Sequence, residues 1–224
     1  MSRSFAAIVF DLDGVLVDSE IWWDEIRQAF AARRGKTWTT ADRAAVMGHN
    51  SLGWARVMRD RLDLDESPEA IADEVVGAMV DRYAAEGAPL LDGAVETVRR
   101  VAATHPLGIA SSAHPRVIEA ALRTSGLSDA FRAVTASDEV EHGKPSPDVY
   151  LLAARRLGVA PADCLVVEDS LNGVLAARAA GMVVVLVPNA AVPPAPGAAA
   201  AADVVLTRID ELDPAAIRMT AAAG

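Results

Sequence analysis

Ala6-Ala7-Ile8-Val9-Phe10-Asp11-Leu12-Asp13-Gly14 is an unbroken apolar run that stops on acidic residues and a glycine. Such a run suits a strand covered on both faces, the condition of a strand inside a parallel sheet. Runs of the same kind recur at 107–110 ahead of Ser111, 164–167 ahead of Glu168, 183–187 ahead of Pro188, and 204–206. A weaker one, 133–135, precedes Ser137-Asp138. Helix signals lie between them. Asp92 stands as an N-cap ahead of Val95, Val98 and Val101, and a helix over 115–125 ends at Gly126. Ser146-Pro147 reads as an N-cap with proline at the first helical position, closed by Gly158, and 170–180 ends at Gly181. Strand and helix alternate from 92 to 206, which predicts an α/β fold with a doubly wound, Rossmann-like parallel sheet.

Residues 17–88 break the alternation, because their signals are all helical. Helices are expected over 20–34, over 39–47 with Thr39 and Asp42 at capping-box spacing and Gly48 behind, and over 51–62. Ser67-Pro68 opens another, whose Ile71, Val75, Met79 and Tyr83 repeat every four residues until Gly87. A crossover between neighbouring strands needs a single helix. The extra ones read as an all-helical cap, 17–88, inserted into a core of 1–16 and 89–224 through linkers near 15–20 and 86–92. The Ala/Pro-rich stretch 188–202 reads as an exposed loop.

Composition narrows the functional classes. Of 224 residues, 52% are hydrophobic and 23% charged, ample for a packed core. Lys and Arg number 21 against 31 Asp and Glu, a net charge of −10, which excludes nucleic acid as a main partner. The single cysteine, Cys164, has no partner for an internal disulfide and opens a buried strand, where an inert thiol of a reducing compartment is expected. Asp11 cuts short the first apolar run, so no signal peptide is read there, and Pro188, Pro193, Pro194 and Pro196 interrupt 182–202 as a membrane span. A cytoplasmic monomer that binds no membrane is the expectation.

Ligands of an open parallel sheet bind beyond the carboxyl ends of the strands. The residues that follow each strand therefore belong together: Asp11 and Asp13, Ser111 and Ser112, Asp138 through Lys144, and Glu168, Asp169 and Ser170. Crowded carboxylates call for a cation, and oxygen ligands without His or Cys favour Mg²⁺ over zinc. A phosphoryl-transfer reading then assigns the roles. Asp11 is the nucleophile and forms an aspartyl-phosphate, and Asp13, on the same side of extended backbone, serves as acid and base. Ser111, Ser112 and nearby N–H groups bind phosphoryl oxygens, and Lys144 neutralises charge. Asp169 holds Mg²⁺, with Glu168 as a further ligand or as an outer partner. Lys144 and Lys36 are the only lysines of a chain that otherwise uses arginine. Taken singly these residues have plainer readings: Asp11 and Asp13 as a solvated turn, Ser111 as a helix cap, Lys144 as a surface lysine, and Glu168-Asp169 as acids at a helix start.

Cap residues are candidates for substrate choice. Trp22 and Trp23 stand about 100° apart around a helix, so one packs inward while the other, Trp23 by preference, faces the cleft. His49 and Asn50 lie in the loop after Gly48 and either touch substrate or sit on the surface. Trp38 and Trp54 are assigned to cap packing. His114 is either near the leaving group or at an exposed helix start.

Four segments carry a family resemblance. Phe10-Asp11-Leu12-Asp13-Gly14-Val15-Leu16-Val17-Asp18-Ser19-Glu20 resembles the first motif of the haloacid dehalogenase-like phosphohydrolase superfamily. Ile109-Ala110-Ser111-Ser112 resembles the second, Gly143-Lys144-Pro145-Ser146-Pro147-Asp148 the third, and Val167-Glu168-Asp169-Ser170-Leu171-Asn172-Gly173 the fourth, in the family's order. The resemblance implies the helical cap, Asp11 as nucleophile, Asp13 as acid/base, and Ser111 and Lys144 as phosphate partners. It also implies Mg²⁺ on Asp11, the Asp13 main-chain oxygen and Asp169. The branch it is most similar to holds sugar-phosphate phosphatases and β-phosphoglucomutase. In the mutase a histidine stands where this chain has Trp23, and a Lys-Asn pair where it has His114-Pro115, which lowers the mutase alternative. The expected function is a Mg²⁺-dependent phosphatase of small phosphate esters, sugar or polyol phosphates foremost. A non-enzymatic phospho-acceptor domain is the remote alternative, disfavoured by the first-strand position of Asp11 and by the helical insertion.

Overall fold

The computed structural model describes residues 4–47 and 49–217. Its centre is a six-stranded sheet of β1 (Ala7–Phe10), β2 (Leu107–Ser111), β3 (Phe131–Ala136), β4 (Cys164–Glu168), β5 (Val183–Leu186) and β6 (Val204–Val205). The strand order is β3-β2-β1-β4-β5-β6, and every pairing is parallel. Alternation along each strand divides the apolar runs between two faces. Ile8, Phe10, Leu165, Val167, Val183 and Val185 belong to one buried cluster, while Ala7, Val9, Cys164, Val166, Val184 and Leu186 belong to the other.

Four helices fill the interval between β1 and the next core helix: α1 (Glu20–Arg33), α2 (Thr40–Val46), α3 (Ser51–Leu62) and α4 (Pro68–Glu86). The core helices are α5 (Ala94–Ala102), α6 (Pro115–Thr124), α7 (Asp148–Leu157), α8 (Leu171–Ala179) and the short α9 (Ala198–Ala201). Val98 and Val101 of α5 and Ile118 of α6 cover the first face; Val149 and Tyr150 of α7 and Val174 of α8 cover the second. Phe30, Met58, Ile71, Met79 and Tyr83 of the inserted helices join the first cluster, and α4 packs on α6. Burial of each such side chain contributes about 1.5–3 kcal/mol, so the insert is held to the core by the same force that builds the core. The two linkers run side by side: the Asp18 N–H donates to the Pro89 carbonyl at 2.8 Å and the Leu91 N–H to the Leu16 carbonyl at 3.0 Å.

Helix starts follow the capping signals in part. Thr39 and Asp42 form a reciprocal capping box, and Ser67 accepts the Ala70 N–H at 3.2 Å with Pro68 in the first turn. Gly48 lies outside the described residues. The expected N-caps Asp92 and Ser146 are corrected. Gly93, at φ +79°, takes the cap position of α5, where a left-handed residue turns the chain off the linker. Pro147 precedes α7, and Ser146 instead donates its hydroxyl to the Asp148 carboxylate at 2.8 Å. The stretch 188–202 is not wholly an exposed loop: Asn189 and Ala198 are buried, and α9 packs on α8.

Candidate active site

Strand register brings the predicted loops together. Phe10 pairs with Ile109 of β2 and with Val167 of β4, so β1 ends level with both neighbours. Strand order reverses at β1, and the residues following β1 and β4 face one crevice at this switch point. Lys144 reaches in from the segment before α7, with its Nζ 2.6 Å from Asp11 Oδ1 and 2.5 Å from Glu168 Oε1.

Glu168 is fully buried. Its Oε1 accepts from Lys144 Nζ and from the Tyr150 hydroxyl at 2.7 Å; its Oε2 accepts from the Asp169 N–H at 3.0 Å, the Ser170 N–H at 3.1 Å and the Ser170 hydroxyl at 3.0 Å. Glycines make room for these acids. A Cβ on Gly14, which sits at φ +83°, would collide with the Asp169 carboxylate, and one on Gly173 with that of Glu168.

The electrostatics are those of acids crowded around too few cations. Burial pushes the Asp11 carboxyl up to about 8; the neighbouring Glu168 and Asp13 add to the rise, and Lys144 works against it. Burial also raises Asp13, while the Ser19 hydroxyl that donates to it, the Trp23 side chain, the charge of Lys144 and the Ser111 hydroxyl pull it back. Asp169 is raised by burial and by the Glu168 and Asp11 charges. Asp11, Glu168 and Asp169 each offer a carboxylate oxygen within 4.8 Å of the others.

Above these residues lies a cavity of about 420 Å³. Asp11, Asp13, Ser112, Lys144 and Asp169 form its floor, and Trp23 and His49 line its cap side. Ser111 is fully buried beneath the wall, where its Oγ accepts the Ala113 N–H at 3.0 Å. Besides the buried Ser111 and Glu168, two candidates are not brought to the wall, and both have side chains that cap helix starts. Asn50 caps α3 by accepting the Gly53 N–H at 2.9 Å, and His114 caps α6 by accepting the Arg116 N–H at 3.2 Å. Trp22 turns away and packs edge-on against Tyr83.

Several wall residues escape the sequence reading. Trp54, assigned to packing, is buried and also lines the cavity. Glu20, Val46, Met47 and the proline-rich 192–195 line it too. Asn189 anchors that proline-rich loop by donating to Asp18 at 3.2 Å. Arg27 of α1 is also a wall residue; its guanidinium carbon lies 5.0 Å from the Trp23 ring centre and 5.3 Å from that of Trp54. Burial lowers its pKa to about 10, so it stays charged at neutral pH.

No helix among the described residues is long and apolar enough to cross a membrane.

The comparisons with known proteins agree with this geometry. The haloacid dehalogenase-like hydrolase family matches residues 5–181. Fructose-1-phosphate phosphatase YqaB of Escherichia coli (strain K12) is 33% identical over 187 residues, 81% of this chain and 96% of that protein. The bifunctional riboflavin kinase/FMN phosphatase of Arabidopsis thaliana is 28% identical over 201 residues; the match takes in 84% of this chain and 50% of that protein's length. The crystal structure of CbbY from Rhodobacter sphaeroides in complex with phosphate superposes with a TM-score of 0.77 at 26% identity, covering 92% of this chain and 96% of that one. With one family matched across most of its length and the loops of all four motifs gathered at one sheet edge, the chain belongs to the haloacid dehalogenase-like hydrolases.

Proposed function

We propose that the protein is a Mg²⁺-dependent phosphatase that cleaves small phosphate monoesters, sugar or polyol phosphates foremost, through a phosphorylated Asp11. The observation that carries the reading is the convergence of Asp11, Asp13, Lys144 and Asp169 on the floor of one cavity. The phosphatase names among its relatives support the reaction class, and we assign substrate choice to the cap side of the cavity, where Trp23 and His49 stand.

Lys144 fixes the rotation of the Asp11 carboxylate through the 2.6 Å contact. In the first half-reaction an Asp11 oxygen attacks phosphorus, the bond from phosphorus to the ester oxygen breaks, and Asp13 gives its proton to that oxygen. Burial of Asp13 raises its pKa and so favours the protonated form. In the second, Asp13 takes a proton from water as the water oxygen attacks phosphorus; inorganic phosphate leaves and Asp11 is restored. Ser112 and the Lys144 ammonium line the cavity beside Asp11 and serve as donors to the phosphoryl oxygens.

The donor set suits Mg²⁺: hard carboxylate oxygens within 4.8 Å of one another, with no sulfur or imidazole among them. Asp11 and Asp169, with the Asp13 main-chain oxygen, would hold it. Glu168 has both oxygens engaged by protein donors and serves as the outer partner that holds Lys144 and the start of α8. Mg²⁺, when bound, neutralises charge on the transferring phosphoryl group.

The test is phosphate release from p-nitrophenyl phosphate with Mg²⁺. Activity is expected in the wild type and lost in Asp11→Asn; an Asp11→Asn protein of undiminished activity refutes the nucleophile.

A further inference from the structure

We propose that Arg27 is a specificity-determining residue that receives a second oxyanion, a carboxylate or a phosphate, carried by the substrate beyond the scissile ester. This rests on the phosphatase reading above and adds to it a substrate class: phosphate esters that bear another acidic group.

Arg27 is 8% exposed and lines the cavity. A guanidinium presents five donors and no acceptor, and a buried one is ordinarily paired. Among the described residues none accepts a hydrogen bond from Arg27, and its buried Nε lacks any partner. The nearest acids, Glu20 and Asp24, attract the guanidinium but give it no hydrogen bond. Glu20 pairs with Arg43 at 3.7 Å, and Asp24 accepts from Gln28 at 2.9 Å and from the Trp38 indole at 3.2 Å. The Trp23 and Trp54 rings attract the cation but supply no lone pair to its N–H groups. A charged fork thus lies at the cavity wall with its donors unspent. A carboxylate or a phosphate satisfies that fork with two parallel hydrogen bonds, whereas a hydroxyl takes a single donor and leaves the others unspent.

Trp23 sets the spacing. Trp23 lines the same cavity as Asp13, and its ring centre lies 5.0 Å from the Arg27 guanidinium carbon, so the guanidinium stands on the cap side of the cavity, across the Trp23 ring from its floor. The second oxyanion then sits a short carbon chain away from the cleaved phosphate.

The experiment compares matched esters: glycerol 3-phosphate with 3-phosphoglycerate, and fructose 1-phosphate with fructose 1,6-bisphosphate. The acid-bearing member of at least one pair is expected to have a kcat/KM at least tenfold higher, and Arg27→Met is expected to bring that ratio close to one, with Arg27→Lys in between. Preference in the first pair names a carboxylate, preference in the second a phosphate. Equal turnover within both pairs, or an Arg27→Met protein that lowers both members by the same factor, overturns the proposal. The same esters are titrated into Asp11→Asn protein while following tryptophan emission, since Trp23 and Trp54 flank the site. The acid-bearing ester is expected to bind at least tenfold tighter, and equal Kd values overturn the proposal even if the Arg27 variants fail to fold. Failure of the wild type to release phosphate from any ester, p-nitrophenyl phosphate included, refutes the phosphatase reading instead and leaves the binding comparison standing.

Discussion

Glu168→Gln removes one charge and keeps the shape, and the hydrogen-bond pattern around the side chain sets the cost. Both carboxylate oxygens accept only. Lys144 Nζ and the Tyr150 hydroxyl point at Oε1, and the backbone N–H groups of Asp169 and Ser170 point at Oε2. An amide must turn its NH₂ toward one side or the other. There it meets either an ammonium or two peptide N–H groups, none of which can become an acceptor. The Tyr150 and Ser170 hydroxyls can rotate, so the loss falls mainly on the fixed donors. Lys144 also loses one of its two anionic partners while remaining buried. Breaking a buried ion pair from one side costs about 3–5 kcal/mol. For a chain of this size that lowers Tm by roughly 6–20 °C, given 2–4 °C per kcal/mol. Tyr150→Phe is the control, because it deletes one hydrogen bond to the same oxygen and leaves the charges in place; about 1.5–3 kcal/mol is the ceiling for its effect. Urea denaturation at neutral pH followed by far-UV circular dichroism reads both variants. A Glu168→Gln protein within about 1 kcal/mol of wild type, or less affected than Tyr150→Phe, would refute the donor-only picture of this pocket.

Gly14→Ala places a Cβ against the Asp169 carboxylate at a residue with φ +83°, and phosphate release is expected to fall about 100-fold, since displacements near 1 Å at the reacting groups have effects of that size. Unchanged turnover would show that Asp169 has no fixed position to defend. Glu74 is held down to about 2 from its usual 4.5, by hydrogen bonds from Arg34 first and with Arg33 contributing, so it stabilises the fold above pH 4.5 and that contribution fades as pH falls toward 2. Solvent screening keeps it below about 1 kcal/mol, so the stability gap between wild type and Glu74→Gln should be small at pH 7 and shrink between pH 4.5 and 3; a gap that widens with acid reverses the sign argued here. Cys164 is buried with its thiol raised to about 11, so at pH 8 only about one molecule in a thousand carries the thiolate and a thiol reagent should label the native protein no faster than it unfolds. Rapid labelling of folded protein would place the sulfur elsewhere.

The sheet and its chemistry were legible because they are written locally. Each apolar run is continuous, each ends in the polar residues that bear the site, and parallel register brings those ends level. Helix starts were legible where a side chain caps its own turn, as at Thr39 and Ser67. They were misread at Asp92 and Ser146, where the conformation of Gly93 and the pull of Asp148 decide the boundary by a residue or two. Asn50 and His114 show the opposite ambiguity, polar side chains that helix capping consumes. Arg27 was not legible at all. One arginine on a helical face reads as solvated, and only the approach of Trp54 from another helix encloses it. The stretch 188–202 misled by composition, since Ala and Pro look the same on a surface as on a cavity wall, and it is the Asn189–Asp18 hydrogen bond that draws it in.

That tether has a bearing on protein engineering. Residues 192–195 wall the cavity from the far end of the chain, more than a hundred positions after the helical insert that faces them. Transplanting the insert alone onto a homologous scaffold would therefore carry over only one side of the substrate mould, and a chimera meant to exchange preferences must bring Asn189 and its prolines along with α1 to α4.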